Sequence, residues 1–147
     1  MVAPLVLERP SEWQAIVVHP GRRAPKLADV VLAEANPVLD AALRNPKATR
    51  WLHVPRFGEA WVLAPEAIVA AKYYSASDPA RGMRRVRDVS DMAETFAQAE
   101  IQPLDRDLLR QLVAAVPLPR AAEIFERIVK ELDAGKVPHF PWSALDE

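Results

Sequence analysis

The chain has 147 residues, half of them apolar and 27% charged, with a formal net charge of −1, so it is long enough for a real core and is not a strongly basic domain built to coat nucleic acid. It has no cysteine, which excludes disulfides, thiolate catalysis and Cys-ligated zinc. No basic segment followed by an apolar stretch marks a signal peptide, and no apolar run approaches the roughly 20 residues that span a bilayer, so a cytoplasmic protein with no membrane partner is expected.

Fourteen prolines against four glycines suggest short elements joined by stiff connections. Pro4-Leu5-Val6-Leu7 reads as a short strand. The stretch from Glu12 to Val18 fits a strand or a helix, because Ser11 is a plausible cap while Ala15-Ile16-Val17-Val18 is equally a buried strand. His19-Pro20-Gly21-Arg22-Arg23 is a turn. Leu27 to Ala35 is ambiguous again, with Val30-Val31-Leu32 strand-like. Asn36-Pro37 is a cap followed by proline at the first helical position, and its helix should run to about Arg44 and stop before Pro46.

Thr49 to Val54 and Ala60 to Leu63, around Pro55-Arg56-Phe57-Gly58-Glu59, predict a β-hairpin. Pro65-Glu66 opens a helix whose buried side is marked by Ala67, Ala70, Ala71 and Tyr74, and Ser77-Asp78-Pro79 ends it. Three more helices follow from apolar residues at helical spacing: Val89, Met92, Ala93, Phe96 and Ala97; Leu108, Leu109, Leu112, Val113 and Val116 after an Asp105 cap; and Ile124, Phe125, Ile128, Val129 and Leu132, closed by Gly135. The aromatic tail from Val137 to Trp142 should dock on the body. The fold class is therefore α+β: a short mixed or antiparallel sheet in the first half packed with four to five helices, and a helical C-terminal half. A single domain over residues 1–147 is expected, strand-rich to 63, helical over 64–134 and extended beyond.

The densest chemistry lies between Lys72 and Asp91. Arg81, Arg84, Arg85 and Arg87 form a basic loop abutting a helix that opens on Asp88 and Asp91. With Lys72 these arginines can form an anion site for nucleotide phosphate or a nucleic-acid backbone. They can equally be a solvated surface with some arginines paired to Asp88, Asp91 or Glu94. Asp88 and Asp91, three apart, share one face and by themselves read as helix-start acids. Asp105 and Asp107 read as a cap and a first-turn acid rather than a metal pair, which usually sits on a strand. His19, His53 and His139 have no metal-ligand spacing, no serine lies in Gly-x-Ser-x-Gly, and the four glycines make no phosphate-binding loop. Trp13, Trp51, Trp61 and Trp142 can stack on bases, but their ordinary role is to fill the core or clamp the tail.

Val62-Leu63-Ala64-Pro65-Glu66-Ala67-Ile68-Val69-Ala70-Ala71-Lys72, followed by Arg84-Arg85-Val86-Arg87-Asp88-Val89-Ser90-Asp91, resembles the second half of AbiE-type nucleotidyltransferase-like domains of the polymerase-β-like superfamily. That family shows a strand, Pro-Glu, a helix ending in Lys, a basic stretch and a Lys/Arg-Asp-x-x-Asp helix, often in toxin–antitoxin or phage-defence systems. The resemblance spans at most Leu27 to Leu112. It implies that Lys72 approaches a nucleotide phosphate and that Asp88 and Asp91 orient the basic residues beside it. The family's Gly-rich turn and Asp-x-Asp or Asp-x-Glu strand are absent, and Asp29 matches at most a single later carboxylate.

The resemblance thus implies a catalytically inactive, nucleotidyltransferase-like protein, truncated or dead as an enzyme. It would need no cofactor and would contact nucleotide or nucleic-acid phosphate through Lys72, Arg81, Arg84, Arg85 and Arg87. The alternative is a protein-interaction module, antitoxin-like or accessory, with a protein partner and no nucleotide. An active nucleotidyltransferase would have to bind Mg²⁺ through Asp29, Asp88 and Asp91.

Overall fold

The computed structural model describes residues 2–6, 12–17, 26–31, 36–56, 58–98 and 103–140. The expected turn at residues 19–23, residues 32–35 and Trp142 lie outside the described residues. The chain divides into two compact units, Met1–Asn36 and Pro37–Glu147. The first is a three-stranded antiparallel sheet in the order β1 (Val2–Val6), β2 (Glu12–Val17), β3 (Lys26–Val31). Its register sets Ala3 opposite Ile16 and Trp13 opposite Val30. The described residues of both stretches that the sequence leaves open between helix and strand, 12–17 and 27–31, are therefore strand.

The second unit opens with helix α1 (Pro37–Arg44), started by proline at its first position and buried through Val38 and Ala42. Asn45 then turns the chain, its side-chain oxygen accepting from the Lys47 N–H at 3.0 Å. Strands β4 (Thr49–Val54) and β5 (Gly58–Leu63) form an antiparallel hairpin, longer than expected because Gly58 and Glu59 already belong to the second strand. Arg56 and Gly58 take positive φ of 70° and 91°, which lets a short connection reverse the chain. At the root of the hairpin the Ala64 N–H donates to the Ala48 carbonyl at 2.8 Å. The sequence places the change from strands to helices after residue 63, yet this hairpin groups with the helices.

Helix α2 (Pro65–Ser77) is buried around much of its circumference, through Glu66, Ala67, Val69, Ala70, Tyr73, Ala76 and Ser77. Tyr73, not the expected Tyr74, is its fully buried aromatic, and Tyr74 is partly buried. A single 3-10 turn (Pro79–Arg81) follows, capped by the Asp78 carboxylate accepting from the Ala80 N–H. Gly82, at φ 51° and ψ −130°, then redirects the chain into α3 (Arg84–Ala97). Asp105 caps α4 (Arg106–Val113), accepting from the Asp107 and Leu108 N–H groups at 3.0 Å each. Helix α5 (Ala121–Asp133) ends as the sequence predicts. Gly135 lies at φ 68°, its N–H bonds Leu132 O and the Lys136 N–H bonds Glu131 O, a Schellman closure. The architecture is α+β, with two small antiparallel sheets and five helices among the described residues.

The core of the second unit is centred on Tyr73. Its ring lies edge-on to Phe125 of α5 at 5.0 Å and against Phe140 at 5.8 Å, and its hydroxyl donates to Ala121 O at 2.7 Å. Phe140, 4% exposed, shows that the described part of the tail docks as expected. Burial pushes the Tyr73 hydroxyl well above its ordinary 10.0. Its folded form therefore holds a proton that the unfolded chain releases above pH 10, so stability falls as pH rises past that value. Replacing Tyr73→Phe removes the bond to Ala121 and should cost about 1 kcal/mol at neutral pH. The variant should also show a shallower loss of stability above pH 10 than the parent, as read by denaturant melts across pH 8–11.

Candidate functional site

The site is assembled from three consecutive pieces of chain: α2, the 3-10 turn and α3. The 3.6-residue period sets Asp88 and Asp91 on one side of α3. Lys72 Nζ lies 3.2 Å from Asp88 Oδ1 and 2.5 Å from Asp91 Oδ2. Arg81, at the end of the 3-10 turn, reaches the same carboxylate from the other side. Its Nε donates to Asp88 Oδ2 at 2.8 Å and its Nη2 to Oδ1 at 3.4 Å. The Asp88 side chain is 2% exposed, while those of Lys72 and Arg81 each keep about a third of their surface in water.

This corrects two expectations. Helix α3 begins at Arg84, so Arg84, Arg85 and Arg87 are helical and only Arg81 belongs to the turn. Asp88 and Asp91 are consequently not helix-start acids, since the first turn of α3 contains no acid. They are a buried and a half-buried counter-ion set facing α2. Arg85, 8% exposed, donates its Nε to the Ala76 carbonyl at 2.8 Å and so ties α3 to the last turn of α2. Arg84 and Arg87 are exposed. Asp29 belongs to β3, opposite Gln14, and its side chain lies outside what the structure describes.

The electrostatics follow from the distances. Burial pulls the Lys72 ammonium down, but the hydrogen bonds and charges of Asp91 and Asp88 outweigh it, and the net shift is above the ordinary 10.5. Lys72 is therefore a fixed cation near neutral pH, unsuited to be a base or a nucleophile. Both oxygens of Asp88 and one of Asp91 accept from cationic groups, so this donor set does not fit a divalent metal. Among the described residues no group of three or more His, Asp or Glu is disposed to hold one.

Two features escaped the sequence. Glu66, expected as an ordinary first-turn acid, is 3% exposed and accepts from the Asp105 N–H at 2.7 Å, linking the start of α2 to the cap of α4. Trp51 and Trp61, expected in the core, instead form an exposed cross-strand pair on the hairpin, 53% and 67% exposed. Only their opposition in the register, visible once the hairpin turn is fixed, signals the pair. Trp13 and Trp142 carry no described side chain.

Compared with protein-family models, with curated proteins and with solved structures, the chain gives no match.

Asp88→Asn should destabilise the protein by about 1–3 kcal/mol, because Lys72 and Arg81 lose a buried counter-charge; the partial exposure of both cations keeps the loss below the ~3–5 kcal/mol of a fully buried pair. Asp91→Asn, at a half-buried position, should cost under about 1 kcal/mol. Urea denaturation of the two variants measures the difference, and equal losses would contradict the asymmetry in burial.

Proposed function

We propose that the chain is a nucleotidyltransferase-like protein that contacts the phosphates of a nucleotide or nucleic acid without transferring them. The contact would be made around Lys72 and Arg81 and extended by Arg84 and Arg87. The supporting observation is the convergence of Lys72, Arg81, Asp88 and Asp91, in which two acids on one face of α3 hold two cations in place. The family resemblance implies that arrangement: a lysine near phosphate, with Asp88 and Asp91 orienting the basic side chains. Held cations lose less conformational freedom when they meet an anion than free lysine or arginine side chains do. The acids balance Lys72 and Arg81, so the net attraction for an anion comes from the exposed Arg84 and Arg87 beside them.

The reading assigns contact rather than transfer for a chemical reason. In-line phosphoryl transfer needs carboxylates free to grip Mg²⁺, and Asp88 and Asp91 already hold cations. Toxin–antitoxin or phage-defence activity is the setting that the resemblance suggests for such a protein. A second reading, a protein-interaction module, is favoured by one observation. Met83 and Val86 are exposed next to Arg84 and Arg87, giving the start of α3 a mixed apolar and cationic surface.

Thermal melts with ATP, inorganic triphosphate and a short oligonucleotide test the first reading. A ligand at tenfold excess over its Kd adds about 1.4 kcal/mol, which should raise Tm by roughly 4 °C. Arg84→Ala with Arg87→Ala removes only exposed cations and should at least halve that rise without lowering the unliganded Tm. Arg85 is the wrong residue for this purpose, because its loss frees the Ala76 carbonyl and disturbs the fold. An unchanged Tm with all three ligands at millimolar concentration overturns the proposal in favour of the protein-interaction reading.

A further inference from the structure

A second surface, on different elements from the charge cluster, carries its own chemistry. In the β4–β5 hairpin, Trp51 and Trp61 are directly opposite, with ring centroids 5.3 Å apart and planes at 63°. The two-residue period sets Thr49, Trp51 and His53 of β4 and Glu59, Trp61 and Leu63 of β5 on one face. At the root Leu63 joins the core, and at the tip His53 Nδ1 lies 3.3 Å from Glu59 Oε1. The tryptophans lie between, and more than half of each side chain is in water. An edge-to-face pair contributes about 0.5–1.5 kcal/mol. That accounts for their proximity but not for leaving two of the largest apolar side chains uncovered.

The charge around the pair points to what covers it. Residues 47–63 contain Lys47, Arg50 and Arg56, all exposed, against the single acid Glu59, a local positive excess in a chain of net charge −1. Arg50 alternates with Trp51 and so belongs to the opposite face, which leaves Lys47 and Arg56 to flank the pair. None of the three cations makes an ion pair with a described residue, whereas Glu59 faces His53. An occupant must therefore offer flat aromatic or apolar faces together with regularly placed negative charge. An unpaired nucleic-acid strand supplies both, with bases to stack on the indoles and phosphates for Lys47 and Arg56. A duplex supplies only phosphates, because its base faces are already stacked. An acidic peptide supplies charge with few planar faces.

We propose that the β4–β5 hairpin is a contact surface for single-stranded nucleic acid, with Trp51 and Trp61 stacking on bases and Lys47 and Arg56, which flank β4, following the backbone. The surface stands independently of the Lys72 cluster and on a different element. Stacking tolerates any base, so the preference should be for an unpaired strand rather than for a sequence.

The test is a fluorescence titration of the full chain with a 12-nucleotide oligo(dT), with a duplex of the same length, and with polyglutamate, at about 50 and 200 mM salt. Indole emission should be quenched by the single strand, which should bind at least tenfold more tightly than the duplex or polyglutamate. Trp61→Ala should weaken binding by roughly 5- to 150-fold, the equivalent of about 1–3 kcal/mol per stacked base. Trp61→Phe, which keeps an aromatic face and guards against a loosened hairpin, should recover most of that affinity. Lys47→Ala with Arg56→Ala should flatten the dependence of log K on log salt by about 1.4, from two lost phosphate contacts at about 0.7 each. Arg84→Ala with Arg87→Ala should leave the quenching intact, which separates this surface from the α3 site. Equal affinity for the duplex, tighter binding of polyglutamate, or parental affinity in both Trp61 variants would overturn the proposal.

Discussion

Helix α2 is engaged on most of its sides, and the second unit is organised by that constraint. Lys72 and Tyr73 are neighbours in sequence, so the helical period sends their side chains about 100° apart. Tyr73 turns into the apolar core, where its ring meets Phe125 and Phe140 and its hydroxyl bonds the first residue of α5. Lys72 turns toward α3, where Asp88 and Asp91 receive it. One helical step thus fixes the seats of both α3 and α5. Glu66 adds a third attachment at the other end of the helix by bonding the Asp105 N–H at the start of α4. A helix so placed cannot rotate to expose Lys72 without withdrawing Tyr73 from the core.

The ion cluster gains its order from being a network rather than a pair. An isolated carboxylate at the burial of Asp88 would be expensive to desolvate, and a single counter-ion seldom offsets that cost. Here two cations from different segments share one acid, and Lys72 bridges to a second, so every charge has an opposite neighbour in reach. The same arrangement locks the chain reversal, since Arg81 leaves the 3-10 turn only a few residues before Asp88. The cluster therefore belongs to the fold as much as to any ligand. Whatever anion meets it is drawn by Arg84 and Arg87, which serve neither the core nor the reversal.

Much of the fold was legible wherever a local cue sets the backbone. Pro37, Pro65, the Asp105 cap and the Gly135 closure each act within one helical turn, and the hairpin announces itself by its turn residues. The convergence of Lys72 with Asp88 and Asp91 is contact across two helices, which leaves no trace in spacing. The start of α3 was misplaced for a physical reason: it has no side-chain cap, and its boundary is set by the unusual backbone of Gly82. With Arg84, Arg85 and Arg87 drawn into the helix, the expected basic loop divides into one buried tie and two exposed cations. Tyr73 and Tyr74 are equally apolar to a pattern of periods, and only the packing of α2 on more than one side selects the first. The exposure of Trp51 and Trp61 runs against the strongest prior about tryptophan, and composition alone points the wrong way.

That exposure sets the hairpin apart from the rest of the second unit. Every large side chain fully removed from water there, Tyr73, Phe125, Met92 and Asp88 among them, touches or faces a neighbouring helix and has a structural task. The hairpin is the reverse case. Its root is tied to the body by Leu63 and the Ala64–Ala48 hydrogen bond, while beyond the root the two tryptophans lie edge to face with more than half of each in water. Two strands rarely hold together alone in water, so the anchored root is what keeps the tryptophans opposite one another. The chain thus fixes an aromatic pair on a tethered ribbon and, among the described residues, gives Lys47 and Arg56 no ion-pair partner, a combination that folding alone does not require.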